Sequence, residues 1–187
     1  VQSDQPGDWA ALDWLRLIGG ARWEHTDLTL SGVNQTLNQP LEPGSIQQDD
    51  LLPSVSALFS LTEKLQLRAA WSQTVVRPTY REIAPVYIYD IADGELISGN
   101  PNLVVSESKN YDLRLEYFPR AGELASLSLF MKQIDDPIEL VQVNANDVTY
   151  RNSEEADVYG VELEFRTRLD RLWEPLKEFT LGGNGAY

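Results

Sequence analysis

Apolar and polar residues take turns along most of this 187-residue chain, in runs separated by short breaks rich in Pro, Gly and Asp. Residues 14–30 set Leu15, Leu17, Ala21 and Trp23 against Arg16, Arg22 and Glu24. Residues 51–61 set Val55, Ala57, Phe59 and Leu61 against Ser54, Ser56 and Ser60. Residues 65–74 set Leu65, Leu67, Ala69 and Trp71 against Gln66, Arg68, Ala70 and Ser72. The run 111–118 separates Tyr111, Leu113, Leu115 and Tyr117 from Asp112, Arg114 and Glu116. The run 124–134 separates Ala125, Leu127, Leu129 and Met131 from Ser126, Ser128 and Lys132. Residues 158–169 oppose Val161, Leu163, Phe165 and Leu169 to Glu162, Glu164, Arg166 and Arg168, and "FTLGGNGAY" begins one more run. A period of two residues is that of a strand with one apolar and one polar face. No segment holds a 3.6-residue period, and Pro and Gly interrupt any helix. The pattern predicts an all-β chain, an antiparallel up-and-down meander.

The connections alternate in length. "TEK" (62–64), "PRAGE" (119–123) and "RLWEP" (171–175) are short, whereas 31–50, 76–106 and 135–156 are expected as long loops. In a meander, this gathers the short turns at one end and the long loops at the other, the habit of outer-membrane barrels. Runs of 11 to 13 residues exceed what a soluble sandwich needs and suffice for a tilted membrane-crossing strand of about 9–11 residues. Trp14, Trp23, Trp71, Tyr111, Tyr117, Tyr159 and Trp173 fall toward run ends, where rings with a polar edge favour a bilayer interface. Core aromatics of a soluble domain would explain them as well.

Composition narrows the function. A formal net charge of −14 argues against nucleic acid, which needs a basic face. The chain has no cysteine, which removes disulfides, thiolate metal sites and thiol catalysis. His25 is the only histidine; it is expected as an interface or rim residue, since one histidine builds neither a multi-histidine metal site nor, by local signals, a Ser-His-Asp set. Gly-rich phosphate loops and GxSxG elbows are missing. No catalytic residue, metal site or cofactor is expected.

Several motifs stand in a fixed order. "WSQTVVRPTY" holds Ser72, Arg77 and Pro78; "GNPNL" holds Gly99, Asn100, Pro101, Asn102 and Leu103; "ESKNYD" holds Glu107, Ser108, Asn110, Tyr111 and Asp112. "LLPSVSALFSL" precedes them and "ADVYGVELEF" follows. This ordered set resembles the C-terminal barrel half of TonB-dependent outer-membrane receptors, departing from it where Val104-Val105 replace the usual Lys-Pro. The resemblance implies an outer-membrane receptor importing a siderophore, cobalamin or oligosaccharide, in contact with membrane lipid and driven through TonB. It also implies a barrel of 22 strands with a plug and a TonB-contacting box. About seven spanning runs are seen here, so residues 1–187 are expected to be a partial barrel domain with the plug absent. Too few strands to close at that diameter, alone it is expected to self-associate through free edges. A soluble all-β carbohydrate- or ligand-binding module is the alternative. It would bury Leu67, Trp71, Leu113, Leu115, Leu127, Leu163 and Phe165 under a second sheet.

Within the receptor reading, Arg68, Arg114, Glu116, Glu162, Glu164 and Arg166 are expected to face the lumen and the plug. In a soluble protein they would be a solvated face. The loop "VYIYDIADGEL" offers Tyr87, Tyr89, Asp90 and Asp93, aromatics and carboxylates suited to a sugar or a metal chelate. Its Asp-Gly pair marks a hairpin tip equally well. Arg77-Pro78 and Asn100-Pro101 are expected to be structural, at a strand exit and a turn. Asp49-Asp50 and Asp135-Asp136 are expected to be solvated loop charges.

Overall fold

The structure is a computed structural model that describes residues 13–34, 39–92 and 94–187. β1 (Leu15–Leu30) leads into a two-residue ladder of β2 (Val33–Asn34) with β3 (Gln39–Pro40). β4 (Gly44–Ser60), β5 (Leu65–Val76) and the short helix α1 (Tyr80–Ile83) follow. A small hairpin, β6 (Tyr87–Asp90) and β7 (Glu95–Ser98), precedes β8 (Ser106–Tyr117) and β9 (Leu124–Asp135). A second small hairpin, β10 (Ile138–Gln142) and β11 (Asp147–Asn152), precedes β12 (Glu155–Arg168) and β13 (Thr180–Ala186).

Seven of these form one sheet in the order β1-β4-β5-β8-β9-β12-β13, antiparallel at every pairing. This is the expected meander, and the sheet is open, with β1 and β13 at its edges. Short turns join β4 to β5 and β8 to β9, where Gly122 supplies the positive φ the turn requires. Two 3₁₀ turns, Leu169–Arg171 and Glu174–Leu176, join β12 to β13.

The alternation holds across the whole sheet. Leu17, Ala57, Ala69, Leu113, Leu129 and Val161 lie in register on one face. A row of Trp71, Tyr111, Met131 and Tyr159 runs beside it toward the long-loop end. Tyr117 and Phe165 mark the other end of the same face, six residues away, about 20 Å along the strands. Among the described residues nothing covers this face: Leu113, Leu127, Leu163 and Phe165 are 40–61% exposed, and Leu67 and Trp71 are only half-buried. A two-layer sandwich would have buried them all, so the soluble-module alternative fails here.

Buried apolar packing gathers at the long-loop end instead. Ile83, with no exposed surface, meets Ile46 and Val105, flanked by Leu28, Leu30 and Val75. Gly44 lies so close that a Cβ there would stand 2.8 Å from Ile83.

Three regions differ from expectation. β4 starts at Gly44 rather than near residue 51: "SIQQDD" is polar apart from Ile46 and so carries no alternation, yet it pairs with β1 from Thr29 to Glu24. α1 was not legible as a helix: four residues show no periodicity, and the Thr79 N–H donating to the Glu82 carboxylate (2.7 Å) starts it. The segments 76–106 and 135–156, expected as loops, fold into a second sheet in the order β10-β11-β7-β6. In it β11 runs parallel to β7. Ile83→Ala should leave a cavity costing about 2–5 kcal/mol. Amides of β6, β7 and β11 should lose hydrogen-exchange protection while those of β8 and β9 keep theirs.

Candidate functional site

The polar face is an ion-paired surface built by register. Arg68 and Arg114 are directly opposed on β5 and β8, an arrangement that repels unless a carboxylate stands between. Glu116 does so, accepting Arg68 Nε at 2.5 Å through Oε2 and Arg114 Nε at 3.0 Å through Oε1. Arg114 spans onward, donating to Ser128 Oγ (2.9 Å) on β9 and to Glu164 Oε2 (2.7 Å) on β12. Arg166 lies 3.6 Å from the other Glu164 oxygen. Five of the six residues expected on this face therefore form one alternating chain across four strands. Glu162 shares the face, opposite Ser128, but has no ion pair among the described residues. It borders an open recess of about 480 Å³ with Arg114, Arg166, Gly182, Asn184 and Ala186.

A second ionic centre lies toward the long-loop end and was missed in the sequence. Arg77 donates from Nη2 to Asp50 (2.9 Å) and from Nε to Thr26 (2.6 Å), and its Nη2 pairs with Glu24 at 2.7 Å. Arg77 is thus a cross-strand tie, in keeping with its expected structural role. Asp50 is not the solvated loop charge expected of it: it is 5% exposed and inside β4. Its pair with Arg77, 27 residues away, has no local sequence signal. Asp49 points to the other face and accepts from His25 Nδ1 at 2.8 Å, with His25 stacked on Trp23. Asp135 is likewise a strand residue, 3.1 Å from Lys109.

The Gly99–Leu103 corner carries the second, four-stranded sheet. A Cβ on Gly99 would fall 1.9 Å from the Ala84 carbonyl oxygen, so only glycine lets the corner touch α1. Asn100 takes the Glu82 carbonyl through its own N–H (2.7 Å) and the Tyr150 carbonyl through Nδ2 (2.9 Å). Asn152 clasps the same corner from β11, accepting from Val104 N–H (3.0 Å) and donating to the Asp136 carbonyl (2.7 Å). Tyr87 and Tyr89 share one face of β6, both largely exposed. Thr149 lies on that face through Ser98, and Arg151 two residues further along β11. Asp90 falls on the opposite face and caps the hairpin by accepting Ala92 N–H at 2.9 Å. Asp93 lies outside the described residues.

At the short-turn end Glu123 is 2% exposed. It accepts both Arg171 Nε (3.1 Å) and Nη2 (2.9 Å), together with Thr167 Oγ1 and Arg168 N–H. The Arg171 hydrogen bonds hold its carboxyl below the usual carboxylate range, against the upward push of burial. The short turn after β8 is thereby clamped to the turn after β12.

Residues 7–187 match the family described as TonB dependent receptor-like, beta-barrel, and the chain belongs to it. Its members are proteins of the Gram-negative outer membrane, where this sheet is a section of barrel wall. Among solved structures, a mutant of the ferric enterobactin receptor PfeA from Pseudomonas aeruginosa is 21% identical, with a TM-score of 0.63 over 95% of this chain and 25% of that one. The Serratia marcescens hemophore receptor HasR, solved with its hemophore HasA and heme, is 16% identical, with a TM-score of 0.62 over 82% of this chain and 29% of that one. The siderophore receptor PirA from Pseudomonas aeruginosa is 19% identical, with a TM-score of 0.55 over 83% of this chain and 32% of that one. At these identities the likeness is one of fold, and the chain spans about a quarter to a third of each receptor's length. No curated protein matches it.

Because the folded-state pKa of Glu123 is depressed, its clamp contributes stability above the unfolded carboxylate value of about 4.3 and loses it as pH falls through the folded value. Protection factors of amides 169–177 should therefore drop between neutral pH and pH of about 3. In Glu123→Gln they should be low throughout; matching profiles in the two proteins would refute the clamp.

Proposed function

We propose that this chain is part of the wall and outer mouth of an outer-membrane receptor that imports a small iron-bearing chelate. The observation that carries the reading is the pairing of an uncovered apolar face with an ion-paired polar face on one single-layer sheet. A wall of that kind separates lipid from a wet interior. Arg68, Arg114, Glu116, Glu162, Glu164 and Arg166 line the lumen in this reading and seat a plug. Their chain of three cations and two paired carboxylates is largely self-neutralised, leaving Glu162 to attract a basic group from the plug. Transport is powered through TonB, which contacts the plug side of the whole protein.

Tyr87 and Tyr89 contact the ligand at the mouth, with Arg151 on the same sheet face. Aromatic faces and one cation suit an anionic, partly aromatic chelate better than a neutral sugar. The names of the similar solved receptors, for ferric enterobactin, siderophores and a hemophore, favour a ferric siderophore over cobalamin or an oligosaccharide. Asp90 serves the hairpin in this reading.

The test is binding of ferric siderophores to the intact receptor by intrinsic fluorescence quenching. Tyr87→Ala with Tyr89→Ala should weaken the best ligand about tenfold, at roughly 0.5–1.5 kcal/mol per lost aromatic contact. An unchanged affinity removes these tyrosines from the site, and failure of every ferric chelate to bind removes the substrate class.

A further inference from the structure

The apolar face of the wall is not evenly filled. At the short-turn end Ala125 on β9 stands in register between Tyr117 on β8 and Phe165 on β12. The next row is Leu115, Leu127 and Leu163. A methyl group between two rings leaves an open apolar groove of about 430 Å³, within the range of small-ligand sites. Gly183 contributes from β13: it opposes Phe165, and a Cβ there would come within 3.1 Å of the ring. The bare backbone therefore gives Phe165 room to lie over β13, away from Ala125.

Position restricts what can occupy the groove. It sits on β8, β9 and β12, with β5 and β13 on either side, so further strands of a closed barrel do not cover it. It opens on the face opposite the ion-paired one, so nothing inside the barrel reaches it. What remains is the bilayer, in the leaflet on the short-turn side, which in this family is periplasmic. In hydrocarbon there is no hydrophobic gain from burying an apolar surface, and preference comes from filling space that would otherwise forfeit dispersion contacts. Two exposed cations lie in the turns directly beneath. The Lys64 carbonyl accepts Phe118 N–H at 2.7 Å, just past Tyr117. Lys64 has no ion pair among the described residues, and Arg120 has only a 3.7 Å contact with Asp170. Cations at a membrane surface attract anionic headgroups.

We infer that this groove is a binding site for one acyl chain of a phospholipid in the periplasmic leaflet, with Lys64 and Arg120 receiving its phosphate. The lipid is held by shape along Tyr117, Ala125 and Phe165 and by charge below them.

Native mass spectrometry of the intact receptor, released from nanodiscs of phosphatidylethanolamine and phosphatidylglycerol, tests this. The native protein should retain one phospholipid more than Ala125→Trp, whose indole fills the groove, with occupancy of that lipid falling about tenfold. Ala69→Trp puts the same ring on the same face outside the groove and should keep the native count. Lys64→Gln with Arg120→Gln should lower retention with the groove intact. Heat-modifiable electrophoretic mobility reports whether each variant folds; Ala125→Leu, a smaller filling, carries the same expectation if the tryptophan variant does not. Equal retention by the native protein and the folded filled variant overturns the site. So does equal loss in Ala69→Trp, or retention of lipid A in place of phospholipid when both are supplied.

Discussion

A peptide group in hydrocarbon finds no water, so each N–H and C=O of a crossing strand has to be paired by the strand beside it. The rest of this structure depends on that constraint. It demands unbroken antiparallel ladders, and unbroken ladders fix register. A slip of one residue at any pairing would move an entire strand's leucines to the polar face and its charges to the apolar one. The row from Leu17 to Val161, in register through six strands, shows how completely the slip is avoided. The same constraint makes β1 and β13 edges that a membrane tolerates only when further strands pair with them.

Register also creates the problem that the polar face solves. Ladders bring Arg68 against Arg114 whatever their charges, and Glu116 and Glu164 convert the repulsion into a chain of ion pairs. Separate devices hold the two ends. Arg77, Asp50 and Glu24 tie strands near the mouth, while Glu123 and Arg171 clamp the short turns. Each uses a buried carboxylate to anchor a guanidinium, where an unpaired charge would be costly.

The spanning strands were legible because the bilayer imposes a strict two-residue code where one side is oil and the other water. That code ends at the membrane surface. "SIQQDD" extends β4 with both sides wet or packed on protein, so its polar residues read as loop and buried Asp50 read as solvated. The external sheet escaped for the same reason and one more: its defining contact joins β7 to β11, 50 residues away along the chain. Of the candidate site, only the shared face of the six charged positions was legible from alternation. A hairpin in the loop of Tyr87 and Tyr89 was readable from the Asp93-Gly94 pair of the sequence, whereas the cap that Asp90 gives it by accepting Ala92 N–H was not. Glu123 carried no signal, since its partner Arg171 comes from another hairpin and Arg120 and Asp170 nearby make an equally plausible charge pattern.

The parallel seam between β7 and β11 has a consequence for assembly. Its halves belong to different crossings, so it forms only after both hairpins have been carried through the bilayer to the same side. Asn100 and Asn152 then fasten them as a single piece. The rim therefore closes no earlier than the crossings that deliver its two hairpins, and those crossings could be in place while it is still unfinished.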